Sequence, residues 1–127
     1  MAFTLEQLDH IVLTVANIHA TTDFYTEVLG MDIVTFEGRT ALRFGDQKIN
    51  LHQRGHEFQP RAAQPTPGSA DLCFVTLTPM DEVVSYLTEL KVHVEVGPVE
   101  RTGAVGKLLS IYIRDPDKNL IEISNYV

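Results

Sequence analysis

Five polar side chains that can bind metal ions or small molecules stand next to apolar residues in strand-like stretches of this sequence: His10, Asn50, His52, Asp71 and Glu122. Because successive side chains of a β-strand point to opposite faces, these five should share one kind of face while the apolar residues occupy the other. Imidazole nitrogens and carboxylate oxygens are ligands that zinc, nickel, iron and manganese accept in proteins. The pattern predicts a divalent-metal site or a small-molecule site on the polar face.

His10 and Glu122 form the best pair of candidate ligands. Glu122 lies between Ile121 and Ile123, and a carboxylate among apolar residues is costly to bury without a cation or hydrogen bonds. A single histidine on a strand is more often a hydrogen-bonded structural residue than a ligand. Together, however, imidazole and carboxylate suit a transition ion, whose charge would stabilise both. We expect both residues to bind the metal.

The remaining ligands are less sharply defined by the sequence. Asn50 and His52 lie two residues apart, which is about 6.6 Å along a strand, so only one of them should reach the same ion. The sequence leaves that choice open. Asp71 opens a strand after a Gly-Ser-Ala turn, where it is either a solvated turn residue or a further ligand. Its place in the internal repeat favours the ligand.

A glycine-containing segment near the C-terminal end offers groups for binding an anion. Arg101–Lys107 is predicted to connect two strands, either as a flexible connector or as a lid that closes over a ligand. Arg101 and Lys107 are the candidate substrate contacts there. Arg101 is the better one, because guanidinium binds carboxylate and phosphate in a bidentate geometry.

The elements that would position these residues occur twice along the chain. Module 5–52 is predicted to contain, in order, strand Leu8–Val15, helix Ala20–Leu29 and strands Asp32–Phe36, Thr40–Phe44 and Lys48–His52. Module 70–127 is predicted to contain strand Ala70–Thr76, a helix capped by Thr78, and strands Val92–Val96, Leu108–Arg114 and Leu120–Tyr126. Residues 53–69 carry three prolines and two glycines and form the linker.

Overlaying the two modules places Asp71 on His10 and Glu122 on Asn50. The repeat predicts an α+β fold in which two βαβββ modules form a curved mixed sheet, with helices on the convex faces and an open concave site. Residues 1–127 should make one domain, because the chain is short for two independent cores.

Composition excludes several classes of function. The net charge is −7, and the ten lysines and arginines are scattered, which argues against nucleic-acid binding. No apolar run is long enough for a membrane span, and no leader pattern opens the sequence, so we expect a soluble cytoplasmic protein. The single cysteine, Cys73, excludes an intrachain disulfide and is expected to be a buried, reduced thiol.

Three stretches resemble the vicinal-oxygen-chelate superfamily, which includes glyoxalase I, fosfomycin-resistance enzymes, bleomycin-resistance proteins and extradiol dioxygenases. The similar stretches are Leu8–Val15, Asp23–Met31 and Arg114–Ile123. Within that superfamily the chain is most similar to small bacterial glyoxalase-domain proteins described as lactoylglutathione lyase-like or virulence proteins. The resemblance covers nearly the whole chain.

The resemblance implies a metal site of altered composition. His10 and Glu122 match the family's ligands in the first and last strands, whereas Asp71 stands where a second histidine is usual. Glyoxalase I moves a proton with carboxylates, and Asp71 and Glu122 would supply them here. Thr14 stands where bacterial glyoxalase I has a glutathione-binding arginine, so a different substrate contact is implied.

Three functions follow from the resemblance. The first is a metal-dependent, glyoxalase-like lyase or isomerase that chelates a small oxygenated substrate and stabilises an enediolate. The second is a metal-free protein of the bleomycin-resistance kind, which sequesters a small and possibly cationic ligand on an acidic inner face. The third is an extradiol-type dioxygenase. The chain is also expected to form a homodimer, in which one subunit's first module could complete a site with the partner's second module.

Overall fold

The computed structural model describes residues 2–127 and divides the chain into two compact units. Unit 1 extends to Pro67 and unit 2 comprises Gly68–Val127, so the division falls inside the predicted linker. Each unit contains one helix and one four-stranded mixed sheet, which confirms the α+β class and the paired βαβββ modules. No helix in residues 2–127 is long and apolar enough to cross a membrane.

Unit 1 consists of β1 (His10–Val15), α1 (Ile18–Glu27), β2 (Asp32–Phe36), β3 (Arg39–Phe44) and β4 (Gln47–Gln53). Its strands lie in the order β1-β4-β3-β2, with β1 parallel to β4 and the other neighbours antiparallel. The helix begins earlier than predicted, because the Asn17 side chain accepts a hydrogen bond from the Ala20 amide at 3.0 Å. Asn17 therefore marks the start of α1, which the apolar periodicity alone did not indicate.

Unit 2 consists of β5 (Asp71–Val75), α2 (Met80–Glu89), β6 (Val96–Thr102), β7 (Lys107–Arg114) and β8 (Leu120–Tyr126). Its strand order, β5-β8-β7-β6, repeats that of unit 1. The apolar face of each sheet is buried. It comprises Leu13, Val15, Leu42, Ile49 and Leu51 in unit 1 and Ile111, Ile113, Ile121 and Ile123 in unit 2, where Leu87 of α2 is also buried. The opposite parity carries the polar residues, as the strand alternation predicts.

The predicted start of α2 was wrong by one position. Pro79, not Thr78, precedes the first helical residue, and its side chain has nothing to donate or accept. The Asp81 carboxylate instead accepts a hydrogen bond from the Glu82 amide at 3.0 Å. An acidic residue in the first turn also interacts favourably with the helix dipole.

The predicted strand Val92–Val96 was also wrong, because strand β6 begins where that prediction ends. The Val92 amide donates to the Leu87 carbonyl at 2.9 Å, which uses this part of the chain to close α2. The ladder with β7 then shifts register between Val96 and Val99, where Gly97 has a φ of +106°. Hydrophobic alternation does not reveal such a bulge.

The segment Arg101–Lys107 is a hairpin and not a loop long enough to act as a lid. Arg101 pairs with Leu108 and Thr102 with Lys107, so only residues 103–106 lie outside the ladder. The Gly103 amide donates to the Gly106 carbonyl at 2.7 Å and closes the turn. Arg101 therefore belongs to a strand, whose backbone fixes its position.

Candidate functional site

The strand register places the predicted polar residues of unit 1 on one face. In the parallel pair, Val12 is opposite Asn50 and Thr14 is opposite His52, while His10 is opposite Lys48. Residues opposite one another in a ladder share a face. This polar face of unit 1 also includes Arg39, Ala41 and Arg43 of β3 and Asp32, Val34 and Phe36 of β2.

His10 is held by its neighbour in sequence. Its Nδ1 lies 2.9 Å from an Asp9 carboxylate oxygen, and the side chain is 42% exposed. A carboxylate on one imidazole nitrogen fixes the ring orientation and leaves the other nitrogen, Nε2, for a ligand. This geometry suits a metal-binding histidine at the start of β1.

Asn50 and His52 have different surroundings on the same face. The Asn50 Oδ1 atom is buried, and none of residues 2–127 gives it a hydrogen-bond donor. His52 is only 7% exposed, and its ring packs edge-on against Phe58 with the centroids 5.6 Å apart. Phe58, in the segment after β4, also lies under the Arg39 guanidinium at 4.2 Å. Asn50 is thus the residue whose bonding is incomplete.

The register of unit 2 confirms the internal overlay made from the sequence. Asp71 is opposite Leu120 and Cys73 is opposite Glu122, which are the pairs equivalent to His10 with Lys48 and Val12 with Asn50. Asp71 and Glu122 therefore share the polar face of unit 2. A cavity of about 330 Å³ opens there, lined by Asp71, Glu95, Val96, Arg101, Tyr112, Leu120 and Glu122.

The Glu122 carboxylate is hydrogen-bonded to a short chain of serine hydroxyl groups. The Ser124 hydroxyl donates to Glu122 Oε2 at 3.3 Å, and Ser110 Oγ lies 2.6 Å from Ser124 Oγ. Both serines are fully buried. Since Ser124 has one proton and gives it to the carboxylate, Ser110 is the donor between the two serines. This chain of hydroxyl groups orients the Glu122 carboxylate.

Cys73 is exposed, which corrects the prediction of a buried thiol. Val75 and Cys73 alternate outward on β5, whereas the intervening apolar residues turn inward, so the short apolar run did not indicate which parity faces solvent. Partial burial of the sulfur nevertheless raises the pKa of the Cys73 thiol. The thiol is neutral near pH 7.

Arg101 reaches the cavity together with Tyr112, a residue that the sequence analysis missed. Tyr112 is directly opposite Glu122, and its hydroxyl oxygen accepts a hydrogen bond from Arg101 Nε at 3.0 Å. Its proton therefore remains available to a ligand. The signal was present in the sequence, since Tyr112 has the parity of Ser110 and Arg114 on β7, but an aromatic residue in a strand is usually assigned to the core.

The other predicted substrate contacts lie elsewhere. Lys107 is exposed, pairs with Glu100 at 3.6 Å and does not line the cavity. Thr14 lies on the polar face of unit 1, 9% exposed and opposite His52. A further ion pair, absent from the predictions, joins Arg114 to Glu95 at 3.0 Å, and the hydrogen bonds from Arg114 lower the pKa of the Glu95 carboxyl.

Asp71 is positioned by the turn before β8. The Ala70 amide donates to the Asn119 side chain at 2.8 Å, and the Asn119 amide group donates to Asp115 Oδ2 at 2.8 Å. Asn119 is 2% exposed and Asp115 is 5% exposed. The turn at residues 115–119 therefore also fixes the start of β5, where Asp71 lines the cavity.

The donor chemistry fits a divalent ion, although the described residues do not assemble a complete metal site. In unit 2 the carboxylates of Asp71 and Glu122 line one cavity. In unit 1 the His10 ring is held by Asp9 through Nδ1. Within residues 2–127, no three His, Cys, Asp or Glu side chains are grouped closely enough to hold a metal ion. Protein metal sites usually need at least three such ligands.

Comparison with known proteins gives relatives that span almost all of the chain. Virulence protein STM3117 of Salmonella typhimurium is 60% identical over 124 residues, which cover 97% of this chain and 86% of that protein. The glyoxalase domain-containing protein RDO1 of Mycosarcoma maydis is 55% identical over 97% of this chain and 70% of its own length. The crystal structure of STM3117 superposes with a TM-score of 0.97, at 59% identity, covering 98% of this chain and 100% of that one.

The family description agrees with these relatives. Residues 7–123 match the Glyoxalase/Bleomycin resistance protein/Dioxygenase superfamily, a span that includes all ten helices and strands except the end of β8. The resemblance read from the three sequence stretches is confirmed. On the strength of its paired βαβββ units and this match, the chain belongs to the Glyoxalase/Bleomycin resistance protein/Dioxygenase superfamily.

Proposed function

We propose that this protein is a metal-dependent, glyoxalase-like enzyme, in which His10, Asp71 and Glu122 bind a divalent ion that chelates a small oxygenated substrate. The observation that carries the proposal is the pair of carboxylates at one cavity, one of them backed by buried serine hydroxyls. A carboxylate oriented in this way is ready to bind a cation or to accept a proton. Membership of the superfamily supports the reaction class.

The residues around the ion have separable roles in this proposal. Glu122 and Asp71 hold charge at the cavity, and one of them takes the substrate proton. The Tyr112 hydroxyl, held by Arg101 at 3.0 Å, donates a hydrogen bond to a substrate oxygen. Held by His10, Asp71 and Glu122, a divalent ion would supply Lewis-acid stabilisation of negative charge on that oxygen. Asn50 and His52 are left outside the ligand set, because His52 packs against Phe58 and Asn50 shares its face with Lys48 and Arg43.

The second candidate is a binding protein without a metal. It is favoured by the absence of any three-donor cluster in the described part of the chain. Its acidic face would be that of unit 2, since the polar face of unit 1 carries Arg39, Arg43 and Lys48. No observation singles out an extradiol dioxygenase.

The deciding experiment is the metal content of the purified, untagged protein, measured by mass spectrometry beside His10→Ala and Glu122→Ala. We expect about one zinc, nickel, iron or manganese ion per chain in the unaltered protein, and loss of that ion in both variants. Asp23→Ala, an exposed acidic substitution in α1, is the matched control and should retain the metal.

The opposite result would support the binding protein. An unaltered protein that contains no transition metal, and that none of Zn²⁺, Ni²⁺, Fe²⁺ or Mn²⁺ stabilises against heat, would overturn the enzyme proposal. We propose further that the chain forms a homodimer. Mixed dimers of His10→Ala and Glu122→Ala chains then test whether ligands come from two subunits, since shared sites retain half of the metal and sites within one chain retain none.

A further inference from the structure

We infer that the polar face of unit 1 is a binding site for an oxyanion, such as a carboxylate or phosphate, that also carries a hydroxyl or amide hydrogen. The inference goes beyond the proposed function and does not depend on a bound metal ion. It is carried by three positively charged side chains and one buried acceptor, which lie on neighbouring strands.

Three basic side chains share this face without an acidic partner. Arg39 and Arg43 flank Ala41 on β3, and Lys48 is directly opposite Arg43 on β4. Asp32 is opposite Arg43 on β2, yet the ion pairs found in residues 2–127 involve none of these four residues. Arg39 and Lys48 are half-buried and Arg43 is exposed. Neighbouring positive charges that form no ion pair create a potential that attracts an anion.

Aromatic rings hold two of these groups in place. The Lys48 ammonium lies 4.1 Å from the centre of the Phe36 ring, and the Arg39 guanidinium lies 4.2 Å from that of Phe58. Phe36 is on β2, so the Lys48 side chain leans across β3 and away from His10 on β1. A cation resting on a ring loses little further freedom when it binds an anion.

Asn50 supplies the second, independent observation. Its Oδ1 atom is buried and receives no hydrogen bond from residues 2–127, although a buried acceptor usually has a donor. The residue opposite Asn50 on β3 is Ala41, whose short side chain leaves space on this face between Arg39 and Arg43. A ligand lying there would place its oxyanion among the basic groups and donate its hydroxyl or amide hydrogen to Asn50.

The alternative is that these three cations form a solvated basic patch and not a binding site. A patch of that kind binds any anion weakly, and a hydroxyl on the anion makes no difference. A built site instead prefers an anion with a hydrogen-bond donor, and it loses affinity when a single defined cation is removed. These two behaviours are separable with small probes.

The test is calorimetric titration of the unaltered protein with malate, succinate, glycerol 3-phosphate and glycerol, in low salt with a chelator present. We expect malate or glycerol 3-phosphate to bind, succinate to bind at least about threefold more weakly than malate, and glycerol not to bind. The ratio of the affinities for malate and glycerol 3-phosphate shows whether the site prefers a carboxylate or a phosphate. Lys48→Gln should lower the affinity about tenfold or more, and Lys48→Arg should restore most of it.

Arg54→Gln is the control, because it removes the same charge from an exposed position outside the polar face. Equal weakening by Lys48→Gln and Arg54→Gln, or equal binding of malate and succinate, would overturn the inference. Thermal unfolding of each variant shows whether it is folded. The titration is made without metal, so it is independent of the metal analysis. If no anion binds but the purified protein contains about one metal ion per chain, this inference alone is refuted. If the anion binds but the purified protein contains no metal, the proposed enzyme alone is refuted.

Discussion

The two units of this chain have one architecture and opposite chemistry. Strand order is the same in both units, and the ladders of the two central strands have the same register, so that Asn50 with Ala41 in unit 1 is equivalent to Glu122 with Tyr112 in unit 2. In unit 1 the central polar position is neutral, lacks a donor and faces a small side chain. In unit 2 it is a carboxylate backed by buried serines and flanked by an aromatic hydroxyl.

The difference shows which part of a repeated βαβββ unit can vary. The apolar parity must fill the core under the helix in both copies, because packing there tolerates few changes. The polar face is not constrained in this way. In unit 1 it carries Arg39, Arg43 and Lys48 with the acidic residue Asp32, and in unit 2 the carboxylates of Asp71, Glu95 and Glu122 line the cavity with the basic residue Arg101. A single scaffold thereby supplies a face suited to anions and a face suited to cations.

The largest expected effect comes from changing the central position of unit 2. Glu122→Gln keeps the shape of the side chain and removes its charge, so the dissociation constant for Zn²⁺ should rise at least about 100-fold. Asn50→Ala, at the equivalent position of unit 1, should change it less than about threefold. Competition titration with a fluorescent chelator measures both, and equal losses would mean that the two faces bind the ion alike.

The two units also differ at an equivalent pair of residues, Asn119 and Gln47, at the N-terminal end of the fourth strand of each unit. Asn119 is buried, and its side chain accepts from the Ala70 amide at 2.8 Å. Its equivalent, Gln47, donates to the Leu8 carbonyl at 2.9 Å in an exposed setting. Removing a buried partner leaves an unsatisfied group, so Asn119→Ala should lower the free energy of unfolding by about 2 kcal/mol and Gln47→Ala by about 0.5 kcal/mol.

Urea unfolding followed by circular dichroism measures both substitutions. A cost for Gln47→Ala as large as that for Asn119→Ala would show that burial does not distinguish the two turns.

Asn50→Asp tests the contrast from the other side, because it gives unit 1 the acidic character of unit 2 without a change in size. A carboxylate beside Lys48 and Arg43 would pair with these cations and repel an anionic ligand. We expect malate affinity to fall about tenfold and thermal stability to change little. Calorimetry measures the affinity, and unaltered binding would exclude Asn50 from the anion site.

The sequence predicted the scaffold better than the details of either site. Alternating parity and the internal repeat were sufficient to place Asp71 on His10 and Glu122 on Asn50, and the ladders confirm both. Strand β6 was misplaced, because its register shift at Gly97 depends on how it meets β7 and not on its own pattern. Phe58 was missed for a similar reason, since its contact with Arg39 joins residues far apart in the sequence.

The smallest expected effect concerns Cys73, the unit 2 residue equivalent to the exposed Val12 of unit 1. Only thiolate reacts with iodoacetamide, and burial raises the pKa of this thiol, so less thiolate is present at any pH below that pKa. Alkylation of the folded protein near pH 8 should therefore be several-fold slower than that of the urea-unfolded chain, and the two rates should converge as the pH is raised. Equal rates for the folded and unfolded chains throughout the titration would show that the polar face of unit 2 is as well hydrated at this edge as its exposure suggests.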